Sequence, residues 1–250
     1  MNTGTLSHFE EAFSSVGWFL PPYATMGFLS LLAAEVKKSG GSFSQQDLQM
    51  WLGHLYEPEG LAAMVSSRYP VTPTICEYKE TISEAIEAHL LGLHHVAVGG
   101  LVPVIEGVGR DLLSQRGLPI PDGVRGVFAA LANDCKQESI DKGIGATGEV
   151  ISMMNSFAWF THNVLYVNSG AYPFLDKTNR HGIMHGVYKD QDYGQPINFY
   201  KTIGAVDFLC FVSAFRANVS WLAPSPNDES QGLAAYYRGL QKLAHHRERT

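Results

Sequence analysis

The chain is short of charge, of cysteine and of any long uninterrupted apolar run. Charged residues make up 17% of its 250 positions, below the roughly 25% of an average globular protein. Acids outnumber bases, for a formal net charge of −6, so there is no global basic field to draw in nucleic acid. A polyanion would have to be captured by a local cluster or by a groove made on assembly. Three cysteines, Cys76, Cys135 and Cys210, are odd in number, far apart and without a C-x-x-C pair. They read as buried free thiols in a reducing compartment rather than as a disulfide framework. The longest apolar stretch, Ala88 to Ile105, is broken by His89, His94, His95 and Pro103, which makes it a poor membrane span. The start of the chain, MNTGTLSHFEEAF, lacks a basic segment followed by an apolar run, so no secretion signal is read there. The expectation is a cytoplasmic protein that does not engage a membrane.

Strand-like alternation is also missing, and helical periodicity dominates. Residues 23–39 place Met26, Leu29, Leu32, Ala33 and Val36 on one face, then end in Lys37-Lys38 and Gly40-Gly41, a helix C-terminal pattern. Ser44 is positioned to cap a helix over 45–56, and Pro58 opens another that runs to about Ser67. One long element is predicted from about Tyr78 to Gln115, amphipathic at first and apolar nearly all round in its second half, with a kink at Gly99, Gly100 and Pro103. Further helices are expected at roughly 122–141, 147–167, 176–186, 195–219 and 229–247. The last follows a break at Ala223-Pro224-Ser225-Pro226 and has a basic end. The fold class is all-α, a helical bundle. It divides into an N-terminal helical extension (1–75), a central bundle with the one long kinked helix (76–222) and a C-terminal accessory helix (223–250).

Most motif matches fade on inspection. Gly143-Ile144-Gly145-Ala146-Thr147-Gly148 fits G-x-G-x-x-G, but that motif needs a strand before the turn, and the residues here are polar and helical. It reads as a loop. His89, His94 and His95 read as hydrogen-bonded core or interface residues. Lys189-Asp190-Gln191-Asp192 lacks the glycine and terminal glutamate of a calcium loop and reads as a solvated turn.

Arg180-His181-Gly182-Ile183-Met184-His185 carries more information. Arg offers a permanently charged planar fork for phosphate oxygens, and His takes or gives a proton near neutral pH. His181 and His185 share a helix face at i,i+4, the spacing of two zinc ligands. The glutamate of H-E-x-x-H is absent, no third ligand is indicated, and Arg180 would repel a divalent cation. Arg180 and His185 lie about 140° apart around a helix, a gap that a long arginine side chain spans. Gly182 would let a substrate or second helix approach, and Gly186 suits the C′ position after His185. The alternative is ordinary packing, with Arg180 bridging a carboxylate. Glu106, in the apolar half of the long element, needs a partner: Arg180 or a site histidine, or else Arg110 one turn on.

The R-x-x-x-x-H pattern with a polar residue after the arginine resembles the hallmark of the HEPN superfamily. Asn179 through Gly186, Asp192-Tyr193-Gly194, Asn198, Ala205-Val206-Asp207-Phe208-Leu209 and Leu101 through Asp111 are similar to a HEPN-like bacterial group with members in phage defence. The resemblance spans roughly 80–220. It implies a helical bundle that dimerises with its two R-x4-H segments facing each other. It also implies metal-independent RNA cleavage leaving a 2′,3′-cyclic phosphate, with no cofactor. On this chain His185 becomes the acid/base group, Arg180 the phosphate clamp and His181 an orienting group, supported by Asn179, Glu106, Tyr193 and Asn198. RNA is then the substrate, a second copy the partner, and an antitoxin or defence-system protein a further partner. Lys201 stands where the related pattern carries arginine, and Gly182 is smaller than expected there. Two other readings remain open. One is a catalytically silent HEPN module binding RNA, nucleotide or protein, since superfamily membership does not settle catalysis. The other is a metal-dependent enzyme using His181 and His185.

Overall fold

The computed structural model describes residues 6–247, with side chains to residue 244. Residues 1–5 of the first segment and most of the basic end of the last helix lie outside the described residues. Helices follow one another along the chain. They are α1 (Ser7–Ser15), α2 (Met26–Lys38), α3 (Gln45–Leu55), α4 (Pro58–Ala63), α5 (Lys79–Leu90), α6 (His94–Gln115), α7 (Val124–Lys142), α8 (Thr147–Phe160), α9 (Arg180–Met184), α10 (Pro196–Ser213) and α11 (Asp228–Arg247). Wider π turns extend α4 over Met64–Arg68 and α8 over Thr161–Leu165. No strand occurs among the described residues, and none of their helices is long and apolar enough to cross a membrane. The all-α bundle expected from periodicity is what forms.

Helix ends follow local chemistry. Thr25 caps α2 by accepting from the Phe28 N–H, and α3 opens on a reciprocal capping box between Ser44 and Asp47. Pro58 occupies the first turn of α4, where its missing N–H costs nothing. Gly143 closes α7 in the left-handed conformation at φ 61°, so the glycine-rich stretch is a helix stop, as its loop reading requires.

The long element between Tyr78 and Gln115 needs correction. It is two helices, α5 and α6, packed against each other. The break comes at Leu91–Leu93 and not at Pro103, which stays inside α6. Gly92 adopts φ 76°, a conformation that other residues rarely take. The Gly92 and Leu93 N–H groups return to the carbonyls of His89 and Ala88 at 2.9 and 2.8 Å, closing α5 in the manner of a Schellman motif. A straight helix of that length would leave one apolar face uncovered, and folding back buries both. At the elbow His89 is buried, stacked on Phe199 with centroids 3.8 Å apart and paired with His94 Nδ1 at 3.0 Å. It is a core histidine, held neutral by burial first and by its histidine neighbour second.

The most enclosed helix is α10, in which every residue from Ile197 to Ser213 except Tyr200 is buried. It packs along α6 and against α3, while α7 packs on α8 and α11 on α4. The first segment is built into the same core. Trp18 and Phe19 are fully buried, and Phe19 lies 4.7 Å from Phe160 and 5.8 Å from Phe208, ring centre to ring centre. All three cysteines are free, with Cys135 and Cys210 buried and Cys76 half-buried.

Candidate functional site

The segment leading to Arg180 is turn and loop, not helical, with Lys177 at φ 57° and Asn179 extended before the helix. The helix expected over 176–186 forms only from Arg180 to Met184, because side chains before it are committed to other partners. Asp176 is buried and ion-paired with Lys201 of α10 at 3.0 Å, and it accepts hydrogen bonds from the Tyr172 hydroxyl and the Thr178 N–H. Asn198 spans the two loops. Its oxygen accepts from the Gly194 and Gln195 N–H groups, and its amide donates to the Asp176 carbonyl at 2.6 Å and Thr178 Oγ1 at 2.8 Å.

Asn179 is fully buried and works in two directions. Its Nδ2 donates to the carbonyls of Val164 at 3.1 Å and Val167 at 2.8 Å, groups left over where α8 ends in its π turn. Its Oδ1 accepts the Gly182 N–H at 2.9 Å and so caps α9. Asn179 and Asn198 therefore place the cluster and do not face it.

Arg180 and Glu106 settle the pairing that spacing left open. Arg180 Nε donates to Glu106 Oε1 at 2.5 Å, with Nη2 to Oε2 at 3.5 Å, and the side chains are 22% and 15% exposed. Arg110 is not the partner. A carboxylate set into the apolar side of α6 thus holds one edge of the guanidinium. The other edge points at imidazole, with Nη1 2.9 Å from His185 Nε2 and 3.5 Å from His181 Nδ1. A guanidinium only donates, so in this contact Nε2 of His185 presents its lone pair. The rings of His181 and His185 are near-parallel with centroids 5.9 Å apart, as i,i+4 spacing requires. His185 is exposed, at the C-cap of α9, and Gly186 follows at φ 64°.

Two further arginines border the cluster: Arg110, read from spacing only as a possible partner of Glu106, and Arg125, for which the sequence carried no signal. Arg125, at the start of α7, donates to the Tyr166 carbonyl at 2.6 Å and lies near enough for its charge to act on His181. Arg110 and Arg180 both act on the buried Tyr166 hydroxyl, against Glu106. Arg125 reaches this point only because α7 packs beside α6, whereas Arg110 stands one turn beyond Glu106 on α6 itself. The result is a local cationic cluster on a chain of net negative charge. His181 is pushed below the ordinary imidazole range by burial first, then by Arg180, His185 and Arg125, with Glu106 opposing. It is neutral near pH 7.

Two other expectations change. Gly182 does not open space for a substrate. The ring of Tyr188 occupies the place of its missing side chain, the Tyr188 N–H bonds back to the Gly182 carbonyl at 2.9 Å, and the hydroxyl reaches the Ser169 carbonyl. Gly182→Ala would push its methyl into that ring, so we expect about 1–3 kcal/mol of destabilisation, read as a lower urea midpoint. An unchanged midpoint would mean that Tyr188 moves aside freely. Tyr193 is turned to His95, at 4.7 Å and nearly perpendicular, and is not brought to Arg180. His95 in turn donates to the Asp190 carbonyl at 3.1 Å.

Among the described residues no group of three His, Cys, Asp or Glu side chains has the arrangement of a metal site, so the His181 and His185 pair gains no third ligand there. Comparison of the chain with family models, curated proteins and solved structures gives no match.

Proposed function

We propose that this protein cleaves RNA by internal attack of a ribose 2′-hydroxyl, using its own imidazole and guanidinium groups. The observation that carries the reading is the meeting of Arg180 and His185 at an exposed point, 2.9 Å apart, with Glu106 holding the far edge of the guanidinium. The HEPN resemblance of the R-x4-H segment points the same way. In the reaction a base removes the 2′-OH proton, the oxygen attacks its own phosphorus, and the P–O5′ bond breaks. An acid then protonates the leaving oxygen, and the product is a 2′,3′-cyclic phosphate. His185 is suited to the base once a substrate phosphate draws Arg180 Nη1 away and frees the Nε2 lone pair that accepts from it. Arg180 can offer Nη1 to a phosphate oxygen, where fixed positive charge is most valuable as negative charge develops. Arg125, whose charge acts on His181, and Arg110, whose charge acts on Tyr166, add positive potential nearby. The acid comes from a second copy placed so that the two R-x4-H segments face one groove.

The test is incubation of purified full-length protein with total RNA, with and without EDTA, beside Arg180→Ala. Cleavage that survives the chelator, leaves cyclic phosphate ends and disappears in Arg180→Ala is the expected result. Loss of cleavage with EDTA would move the chemistry to a metal, and intact RNA under every condition would make the chain a binding module.

A further inference from the structure

A largely apolar cavity with a carboxylate in its lining lies away from Arg180 and shares no residue with that cluster. It opens between the 21–24 loop, α4 and the proline segment after α10, and encloses about 90 Å³. Its walls include Pro21, Pro22, Tyr23, Tyr56, Met64 and Pro224, and Asp207 of α10 forms its floor. That volume is on the order of six water-sized spheres, enough for an aliphatic group of four or five heavy atoms.

One polar group there lacks a protein partner and another is only partly used. Asp207 Oδ1 accepts the Tyr69 hydroxyl at 2.8 Å, and its other oxygen has no hydrogen-bond donor among the described residues. The Tyr23 hydroxyl is buried and has no hydrogen-bond partner. The nearby cation, Arg68, does not neutralise the carboxylate by direct pairing. Its two terminal nitrogens donate to the Ser220 and Leu222 carbonyls, and its guanidinium lies 5.4 Å from the centre of the Tyr23 ring. A buried carboxylate without a bonded cation is costly unless something completes it.

We propose that this cavity binds the primary ammonium end of a small aliphatic chain, such as an alkylamine or a lysine-like side chain. The ammonium donates to the free Asp207 oxygen and to the Tyr23 hydroxyl oxygen, beside the Tyr23 and Tyr56 side chains of the wall. Proline, leucine and methionine walls take the methylenes. Anions are excluded by the carboxylate, and a neutral alcohol gains no charge pairing.

The titratable and charged groups that face Asp207 are Tyr23, Tyr56, Arg68, Tyr69 and Cys210. Burial lifts the Asp207 carboxyl to about 7, with Tyr69 and Arg68 pulling the other way, while burial raises the three tyrosines and Cys210 so that they stay neutral. Ammonium binding requires the ionised carboxylate, so affinity rises with pH through that value while the amine remains charged.

The experiment titrates n-butylammonium chloride into the full chain by calorimetry at pH 6 and pH 8.5, with n-butanol as the neutral comparison. Binding about tenfold tighter at the higher pH, absent for butanol and lost in Asp207→Asn, is expected. Ala24→Phe, which fills the cavity from its wall and keeps Asp207, should also abolish it and guards against misfolding of the first variant. No binding at either pH, equal binding of butanol, or undiminished binding in Ala24→Phe would overturn the proposal and leave a hydrated structural void. None of these outcomes depends on RNA cleavage.

Discussion

Replacing Asp176 by alanine is expected to cost about 3–5 kcal/mol of folding stability, the usual loss when one member of a buried ion pair is removed. Lys201 is wholly enclosed. Its ammonium has Asp176 Oδ2 at 3.0 Å, Gln45 Oε1 at 2.8 Å and the Phe174 ring centre at 5.3 Å. Burial pulls its pKa down, and Asp176 is what opposes that fall. Without the carboxylate the charge has one neutral acceptor left, and the Tyr172 and Thr178 hydroxyls lose theirs as well. The loss is large against the roughly 5–15 kcal/mol that holds an average domain together.

The sign of its pH dependence follows from linkage. In the variant Lys201 releases its proton more readily folded than unfolded, so the unfolded chain binds more protons and stability climbs with pH toward the ordinary lysine value. Urea unfolding at pH 7 and pH 9.5 would show it, and Asp176→Ala with Lys201→Met should recover much of the deficit. A loss below about 1 kcal/mol would mean that the ammonium finds water. Because the same Asp176 and Asn198 network sets the path into α9, the variant should also disturb the Arg180 cluster.

His185→Ala is expected to lower the rate of the proposed RNA cleavage by about 10²–10⁴-fold, the range for loss of a positioned acid/base group, or roughly 3–5 kcal/mol of barrier. His185 is exposed and carries no core contacts, so its truncation should leave stability within about 0.5 kcal/mol. That separates a chemical role from a structural one. Single-turnover cleavage of a defined RNA, run beside a thermal melt, reads both. Arg180→Lys should fall well short of the wild type even though it keeps the charge. Lysine cannot give one edge to Glu106 and another to the substrate. If His185→Ala cleaves at the wild-type rate while His181→Ala does not, the base has been assigned to the wrong ring.

The two histidines differ in ways that spacing did not reveal. Their i,i+4 relation placed both rings on one face, and they stack as that geometry requires. Spacing said nothing about which would be exposed, or that His181 would share its surroundings with Arg125 from a different helix. Gly182 shows the opposite error. Its smallness was read as room for a ligand, but the room is filled by Tyr188 six residues later. A missing side chain marks a close approach without naming what approaches.

What the sequence determined by itself was whatever closes within about one helical turn. The Ser44 and Asp47 box, the proline start of α4 and the glycine stops at Gly143 and Gly186 all act through bonds between near neighbours. The Asp47 half of the box and the Gly143 stop belong to the structure, while the Ser44 cap, the Pro58 start and the Gly186 stop were read without a fold. The all-helical class followed from them and from the apolar period. Tertiary structure alone decided that Glu106 pairs with Arg180, 74 positions away, rather than with Arg110 in the next turn. It also decided that α5 doubles back on α6, and that Arg125 stands beside His181. Local hydrogen bonds are specified by the residues that make them. A pairing across the bundle depends on how every helix face between the two residues is buried, and no short stretch of sequence records that.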